Sequence, residues 1–388
     1  MDIQIVEATG KNAMNYFIRF PKELYRDDPF YVVEPERLQR EFLSKKNPFF
    51  KHSSARFYIA IAGGRIAGRI AAITNTVHNQ VYHEKTGFFG FFDTIESYEV
   101  AKMLLDQVME IHNQDGMDRI IGPTSFTAND SSGVLVSGFD KHPLVGMPYN
   151  KPYYNDFLVR YGFEKEMDLS SCAFGPKVLG MPYFGAEIME KPYVGRSIQE
   201  STGKLRDKGI SIRTINYKQL EREVAGMREV YNASNRDNWG FIPLKQEEFL
   251  YIAKQFRQFV PEELILIAEA EGKQVGFLVT LPDMNQVFRH IPSGKLWPFG
   301  FIQYLWHKRK ITKARIIMPG ILHGYRNQGI DLAMYEQMRQ NLVRLGFRKG
   351  EVSYVAENDP VMHSIVQQSG LGKVNEYRIY RKDFFPKT

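Results

Sequence analysis

Two stretches of this 388-residue chain match each other, and their matched glycines lie 208 positions apart. Residues 57–73 (FYIAIAGGRIAGRIAAI) and 264–280 (LILIAEAEGKQVGFLVT) each read as two apolar strands joined by a glycine-containing turn. A second pair, Gly162 and Gly370, has the same offset. The same offset at two separate places indicates that one supersecondary unit occurs twice. The matched residues of the two hairpins are Gly64, Arg65 and Gly68 in the first and Gly272, Lys273 and Gly276 in the second.

Each hairpin is followed by the same order of elements. An apolar stripe over 101–111 predicts a helix that Gly116 ends, and a stripe over 332–345 predicts another that Gly346 ends. A short apolar strand comes next in both halves. We therefore predict an α/β fold with a mixed sheet, present twice in tandem.

The length also favours two domains, because a single core rarely grows this large. The stretch that joins the halves is rich in glycine and proline, which is typical of a linker. We predict domain one at 1–172, a linker at 173–207 and domain two at 208–388.

Several classes of protein are excluded by composition. Cys172 is the only cysteine, so no intramolecular disulfide and no multi-cysteine metal site can form. No HExxH pattern is present, and we expect no metal cofactor. No apolar run approaches 18 residues, and the N-terminus does not read as a secretory signal. We expect a cytoplasmic protein without a transmembrane segment.

The net charge of +7 is concentrated in one window, 284–330, which holds eight basic and no acidic residues. The remaining chain is neutral, with 43 basic and 44 acidic residues. Trp297 and Trp306 lie in the same window. Interleaved basic and aromatic residues favour a surface for phosphates, nucleic acid or anionic lipid. The alternative is an amphipathic helix that packs its aromatics on the core and exposes its basic residues.

The most informative motif lies at the end of this window. An apolar strand over 314–323 runs into a turn with Gly324 and Gly329, and a helix begins near Ile330. A turn at a helix N-terminus is an anion site, because free backbone N–H groups and the helix dipole point at the ligand. Arg326 adds a charged donor for a phosphate. An ordinary turn is the alternative.

Arg326-x-x-Gly329-x-Asp331 resembles the pyrophosphate loop of GNAT acyltransferases, and the order of elements in both halves resembles the GNAT fold. The resemblance implies two GNAT-like domains and acetyl-CoA or another acyl-CoA as co-substrate. It also implies that pantetheine lies in a gap between residues 319–322 and a facing strand at 352–356. The cofactor-binding residues that it implies are Ile321, Leu322, Arg326, Asn327, Gln328, Gly329 and Ile330.

The chain departs from the family pattern in three places. Asp331 stands where the loop has a small residue, and its carboxylate repels a phosphate. The first half has an acidic stretch, FFDTIESYE, at the position of the loop, so we expect domain one not to bind CoA in the usual way. The tyrosine that often acts as the acid in GNAT enzymes is replaced by Leu158 in the first half and Val366 in the second.

Candidate catalytic residues are therefore sought at the end of the facing strand. Glu357 and Asn358 follow it and could act as a base and an orienting group, although an N-cap ahead of Pro360 is the alternative. For the substrate we select polar residues of the long loop of the first half. Packing or local hydrogen bonding is their alternative. These residues are Asn129, Tyr149, Asn150, Tyr153 and Tyr154.

Three functions remain open. The first is an acyl-CoA-dependent N-acyltransferase, most simply an N-acetyltransferase, that acts on a small-molecule amine by direct transfer. The second is a peptidyltransferase-like protein that takes an aminoacyl group from tRNA, with nucleic acid as the less favoured partner of the window 284–330. The third is a non-catalytic CoA- or anion-binding protein. The oligomeric state has no sequence signal.

Overall fold

The computed structural model describes residues 2–174, 205–368 and 371–384. Most of the predicted linker and Gly370 lie outside these ranges. The elements in chain order are β1 (Ile3–Glu7), α1 (Gly10–Leu24), α2 (Glu36–Phe42), β2 (Ser54–Ala62), β3 (Arg65–Thr74), α3 (Thr76–Tyr82), β4 (Thr86–Thr94), α4 (Tyr98–Gln114), β5 (Arg119–Gly122), β6 (Val134–Ser137), α5 (Tyr153–Tyr161), β7 (Glu164–Phe174), β8 (Ile210–Thr214), α6 (Leu220–Ser234), α7 (Gln246–Phe256), β9 (Ile265–Ala270), β10 (Lys273–Pro282), α8 (Asn285–Phe288), α9 (Phe299–Lys308), β11 (Lys313–Ile321), α10 (Ile330–Arg344), β12 (Lys349–Ala356), α11 (Pro360–Gln368) and β13 (Gly372–Asp383).

The chain forms two compact units, and each unit combines segments that are separate in the sequence. The first unit contains Met1–Leu169, Val287–Trp306 and Asn375–Thr388, and the second contains Ser170–Gln286 and His307–Val374. The last strand of the chain thus lies mainly in the first unit. The boundaries that we placed at 172 and 208 concern the two repeats and stay a prediction.

The first unit has a mixed sheet in which β1, β2, β3, β4, β5 and β13 are neighbours in that order. The strands β4 and β5 are parallel, and the pairs β1–β2, β2–β3, β3–β4 and β13–β5 are antiparallel. Helix α4 covers the sheet with the stripe that its spacing predicted. Leu104, Leu105 and Val108 of this stripe are buried.

The second unit repeats the arrangement with β12, β11, β10, β9 and β8 as neighbours. Here β11 and β12 are parallel, and β8–β9, β9–β10 and β10–β11 are antiparallel. The predicted apolar stripe of helix α10 is rotated in the structure. Its core residues include Ile330, Met334 and Met338, whereas Leu332 is exposed. The predicted fold class, a mixed-sheet α/β fold in tandem, is confirmed.

The strand registers show that the repeat extends to individual backbone contacts. Gly68 of β3 lies opposite Thr94, and Gly276 of β10 lies opposite Ile321. A side chain at either glycine would lie 3.1 Å from the carbonyl oxygen of the residue that precedes that partner. Both positions therefore require glycine for the same close approach of two strands. Thr94 and Ile321 are equivalent ends of equivalent strands.

A buried polar network holds the end of β4 in the first unit. The Arg69 guanidinium donates to the Asp93 carboxylate at 2.8 Å, and both side chains are almost completely buried. Tyr25 donates to the same carboxylate at 3.0 Å, and its hydroxyl lies 3.1 Å from that of Tyr154. Burial raises the pKa of both tyrosines well above the usual value, so their hydroxyls stay protonated. The network compensates the buried charge of Arg69.

We predict that Asp93→Asn destabilises the protein by about 3 kcal/mol, because it leaves the buried guanidinium without its counter-charge. Asp115→Asn is a matched control, since Asp115 pairs with Arg56 on the surface and such pairs contribute roughly 0–1 kcal/mol. Urea unfolding of the two variants measures both effects. Equal losses of stability would show that the Asp93 network has no special role in the fold.

Candidate functional site

The second unit contains a gap between two strands that begin side by side. β11 pairs with β12 only from Lys313 to Ile316. Its pairing with β10 on the other side continues to Ile321, across a bulge between Val279 and Thr280 of β10. β11 therefore diverges from β12 after four residue pairs. The far half of β11 faces a gap instead of a neighbouring strand.

The last residue of β11 directs its backbone into this gap. Leu322 donates its backbone N–H to the Val275 carbonyl at 2.9 Å, which makes these two residues a hydrogen-bonded pair of an antiparallel ladder. The adjacent pair, Ile321 and Gly276, is then a non-hydrogen-bonded pair. In such a pair the backbone N–H and C=O of each residue point away from the partner strand. The N–H of Ile321 consequently points away from β10, on the side where β12 has diverged.

The equivalent position of the first unit is filled by the protein itself. β4 pairs with β5 only from Thr86 to Phe88, so the same divergence occurs. The backbone N–H of Thr94 donates to the Tyr154 hydroxyl at 2.8 Å, and the Tyr153 hydroxyl donates to the Thr94 carbonyl at 2.7 Å. Two tyrosines of α5 thus occupy the backbone groups at the strand end. This contact is consistent with the expectation that domain one does not bind CoA in the usual way.

The offset of 208 residues identifies the counterparts of these tyrosines in the second unit. Val361 corresponds to Tyr153, and Met362 corresponds to Tyr154. Neither residue type has a hydroxyl group that could bond a strand end. The difference between the units can therefore be traced to two positions at the start of α5 and α11.

The predicted phosphate turn follows β11 and leads directly into helix α10. Asn327 and Gly329 both have positive φ values, of 59° and 84°, and Gly329 is the N-cap of the helix. Gly329 supplies a left-handed conformation that other residues rarely adopt. The first N–H groups of α10 have no acceptor within the helix and carry the positive end of its dipole. The turn has the chemistry of an anion site.

Arg326 has a different position from the one that the motif implies. Its guanidinium donates to the backbone carbonyl of Ser234 at 2.6 Å and to that of Ile321 at 3.3 Å. Gln328 donates to the Gly324 carbonyl at 3.0 Å and accepts from Lys208 at 3.2 Å. Both side chains hold the turn in place. Among the predicted residues, the backbone of Asn327, Gln328 and Gly329 is better placed than the Arg326 side chain to meet a phosphate.

Glu357 and Asn358 lie where the sequence places them, in an exposed turn directly after β12. The helix N-cap, which was the alternative for this stretch, is provided by Asp359. Its carboxylate accepts from the N–H of Met362 at 3.0 Å. Glu357 and Asn358 are therefore not needed for the cap and stay candidates for chemistry.

Tyr335 is a titratable residue of this unit that sequence reasoning assigned to packing. It lies on α10 one turn after Asp331. Desolvation raises the pKa of Tyr335, and the carboxylates of Asp331 and Asp359 raise it further. Its hydroxyl therefore stays protonated near neutral pH and is a weaker proton donor than that of an ordinary tyrosine.

The five predicted substrate residues have different surroundings in the first unit. Tyr149 donates to Asp28 at 2.9 Å. Asn150 is buried and bonds both the N–H and the carbonyl of Leu135, a structural contact between residues that are not neighbours in sequence. Tyr153 and Tyr154 bond Thr94 as described. Asn129 is exposed in the loop between β5 and β6.

An apolar pocket lies on β9 and β10 of the second unit, beneath α6 and α7. Its volume is about 30 Å³, which is room for roughly one or two water molecules. Val279 contributes to its wall, and the strand partner of Val279 is Met318, in the diverging half of β11. The pocket is too small for an alkyl chain. The lining residues are Ile215, Tyr217, Met227, Leu244, Phe249, Ile252, Ala253, Phe256, Ile265 and Val279.

Within residues 2–174, 205–368 and 371–384, no group of three or more His, Cys, Asp or Glu side chains is arranged to hold a metal ion. No helix in these ranges is long and apolar enough to cross a bilayer.

The solved structures with a similar fold include tandem GNAT proteins. A tandem GNAT protein from the clavulanic acid biosynthesis pathway matches with a TM-score of 0.57 at 10% identity, and each chain is covered completely. A GCN5-related N-acetyltransferase from Sphaerobacter thermophilus matches with a TM-score of 0.53 at 13% identity, over 99% of this chain and 97% of that one. At this identity the likeness concerns the fold.

Relatives with similar sequences also match over nearly their whole length. Bacterial ceramide synthase from Caulobacter vibrioides is 26% identical over 389 aligned residues, which cover 98% of this chain and 97% of the relative. Protein YghO from Escherichia coli is 30% identical over 386 residues, which cover 96% of this chain and 93% of the relative. No family model matches the chain. The full-length relationship to Protein YghO shows that the chain belongs to the family of Protein YghO, and its duplicated fold is that of tandem GNAT proteins.

Proposed function

We propose that the protein is an acyl-CoA-dependent N-acyltransferase whose second unit binds the donor. The observation that carries the proposal is the gap beside β11, with the Ile321 N–H directed into it and the Gly329 turn at its end. A thioester in the gap could place its carbonyl oxygen at the Ile321 N–H. The CoA pyrophosphate could then lie on the first amides of α10.

The transfer proposed here is direct and needs no acyl-enzyme. The amine nitrogen attacks the thioester carbonyl, whose developing negative charge is stabilised by the Ile321 N–H. The C–N bond forms, the C–S bond breaks, and CoA leaves as a thiolate. Glu357 accepts the proton that the amine loses, and Asn358 orients the amine.

For the acceptor we propose an amine carried by a lipid or another small molecule. The relative from Caulobacter is called a ceramide synthase, and a ceramide is an amide of a long-chain amino alcohol. The name of this relative is the reason for testing long acyl chains as well as acetyl. We also propose a cytoplasmic location. The residues proposed to contact the acceptor are Asn129, Tyr149, Asn150, Tyr153 and Tyr154. Asn129 is the most accessible of the five.

We predict that CoA and acetyl-CoA bind the wild-type protein and that Gly329→Ala weakens binding about tenfold or more. An L-residue in this left-handed conformation costs roughly 1–2 kcal/mol, and relief of that strain reorients the amides that meet the pyrophosphate. Gly346→Ala is a matched control at the other end of the same helix, where φ is also 84°. Isothermal titration calorimetry measures both affinities.

Three results of that titration contradict the proposed donor site. Absence of CoA binding to the wild-type protein rejects it outright. Equal weakening by Gly329→Ala and Gly346→Ala would mean that the turn has no specific role. Binding of aminoacyl-tRNA without CoA would favour the peptidyltransferase-like function instead.

For catalysis we predict that Glu357→Gln lowers turnover by about a hundredfold and leaves the affinity for CoA unchanged. Turnover is followed as thiol released from acetyl-, octanoyl- and palmitoyl-CoA with long-chain amino alcohols as acceptors. Glu351→Gln serves as the control, because Glu351 lies on β12 at its paired end. CoA binding without thiol release from any donor and acceptor would instead support a non-catalytic CoA-binding protein.

A further inference from the structure

Residues 295–310, here called the exposed segment, form part of the long connection between β10 and β11. They include Lys295, Trp297, helix α9 and the basic run Lys308–Arg309–Lys310. The equivalent connection of the first unit contains only the short helix α3. The donor site described above does not use these residues.

Helix α9 exposes most of its large apolar side chains to solvent, whereas a surface helix usually buries them. Gly300 is buried, and a side chain there would lie 2.2 Å from the Lys295 carbonyl oxygen. Tyr304 and His307, one and two turns later, are partly buried. Phe299, at 76% exposure, and Ile302, at 66%, face solvent. A helix of a water-soluble surface normally turns its apolar stripe toward the core.

The exposed apolar side chains are concentrated in this segment. Six of the thirteen large hydrophobic residues that are exposed in the described ranges lie between positions 297 and 306. Trp297 is 80% exposed, and Trp306 is 63% exposed. The alternative considered for this window, that its aromatics pack on the core, is contradicted by these exposures. A contiguous exposed apolar patch marks an interaction site.

The start of the connection is held by the first unit. The Ser293 carbonyl accepts from the Lys22 side chain at 3.1 Å, and the Gly294 carbonyl accepts from the backbone N–H of Glu36 at 2.9 Å. Gly294 has a positive φ of 68° and lies against Val33. These contacts position Trp297 and the start of α9 on a defined surface.

The positive charge of the exposed segment favours an anionic partner. Its basic residues flank the apolar residues in the sequence, and no acidic residue occurs anywhere between 284 and 330. A second copy of the chain would bring like charges together at this surface. Single-stranded RNA would stack on the aromatic rings, but it offers nothing to the aliphatic side chains of Ile302 and Leu305. An anionic bilayer can bury the aromatic and aliphatic side chains in its interface and bind the basic side chains through its headgroup phosphates.

We propose that the exposed segment docks the protein on anionic membrane surfaces. Trp297 and the outward face of α9 enter the boundary between headgroups and acyl chains, where tryptophan is enriched. Lys295, Lys308, Arg309 and Lys310 contact the phosphate groups of the lipids. This docking is independent of the proposed acyl transfer, because it uses no residue of the donor site.

The test is flotation of the full chain with phosphatidylcholine vesicles, with and without phosphatidylglycerol. We expect the wild-type protein to float only with the anionic vesicles. Ile302→Asp should lose this binding, because it places a charge in the apolar face. Val159→Asp, at a similarly exposed valine of α5, should bind like the wild type.

Charge is tested separately with the triple variant Lys308→Gln, Arg309→Gln and Lys310→Gln. Each basic residue near an anionic surface contributes about 1 kcal/mol, so the affinity should fall about a hundredfold. The matched control is a triple variant of exposed lysines in the first unit, Lys11→Gln, Lys45→Gln and Lys46→Gln. Circular dichroism of each variant establishes that the fold is retained.

Failure of the wild-type protein to bind anionic vesicles overturns the proposal, as does binding that neither Ile302→Asp nor the triple variant weakens. If Ile302→Asp instead abolishes a concentration-dependent dimer of a protein that does not bind vesicles, the surface belongs to a second copy. Binding of tRNA in place of vesicles, lost in the triple variant, would assign it to nucleic acid. Calorimetry with CoA distinguishes these results from a failure of the donor site.

Discussion

Backbone hydrogen bonding imposes the main constraint on this molecule. A strand that leaves one neighbour while it keeps the other has polar groups on one side that need a new partner. This happens twice, after Phe88 in β4 and after Ile316 in β11. The glycines opposite the strand ends, Gly68 and Gly276, permit the same close packing in both cases. What differs is the partner of the released groups.

The two units satisfy these groups in different ways, which gives them different capacities. In the first, Tyr153 and Tyr154 bond the end of β4, and the Arg69–Asp93 pair fixes the surrounding network. In the second, the Arg326 guanidinium donates to the Ile321 carbonyl, and the Ile321 N–H faces the gap. A duplicated fold can thus keep one copy for stability and leave the other able to bind a ligand.

Local patterns in the sequence predicted the elements, the repeat and the position of the turn, because hairpin glycines and helix stripes have short-range signals. Side-chain directions depend on distant neighbours and were not predictable. Arg326 bonds Ser234, which is 92 positions away in sequence. The buried stripe of α10 excludes Leu332, and the tryptophans of the basic window face outward. The charge of that window predicted a surface for phosphates, nucleic acid or anionic lipid, and the exposed apolar face favours the lipid.

We infer that the second unit, and not the first, offers its strand end and turn to CoA. Amide hydrogen exchange of the whole chain with and without CoA tests this inference, because exchange reports individual backbone N–H groups. We expect slower exchange at Ile321 and at residues 327–332 on addition of CoA, with no change at residues 94–100. Protection at residues 94–100, or saturating CoA without protection at 321–332, would contradict it.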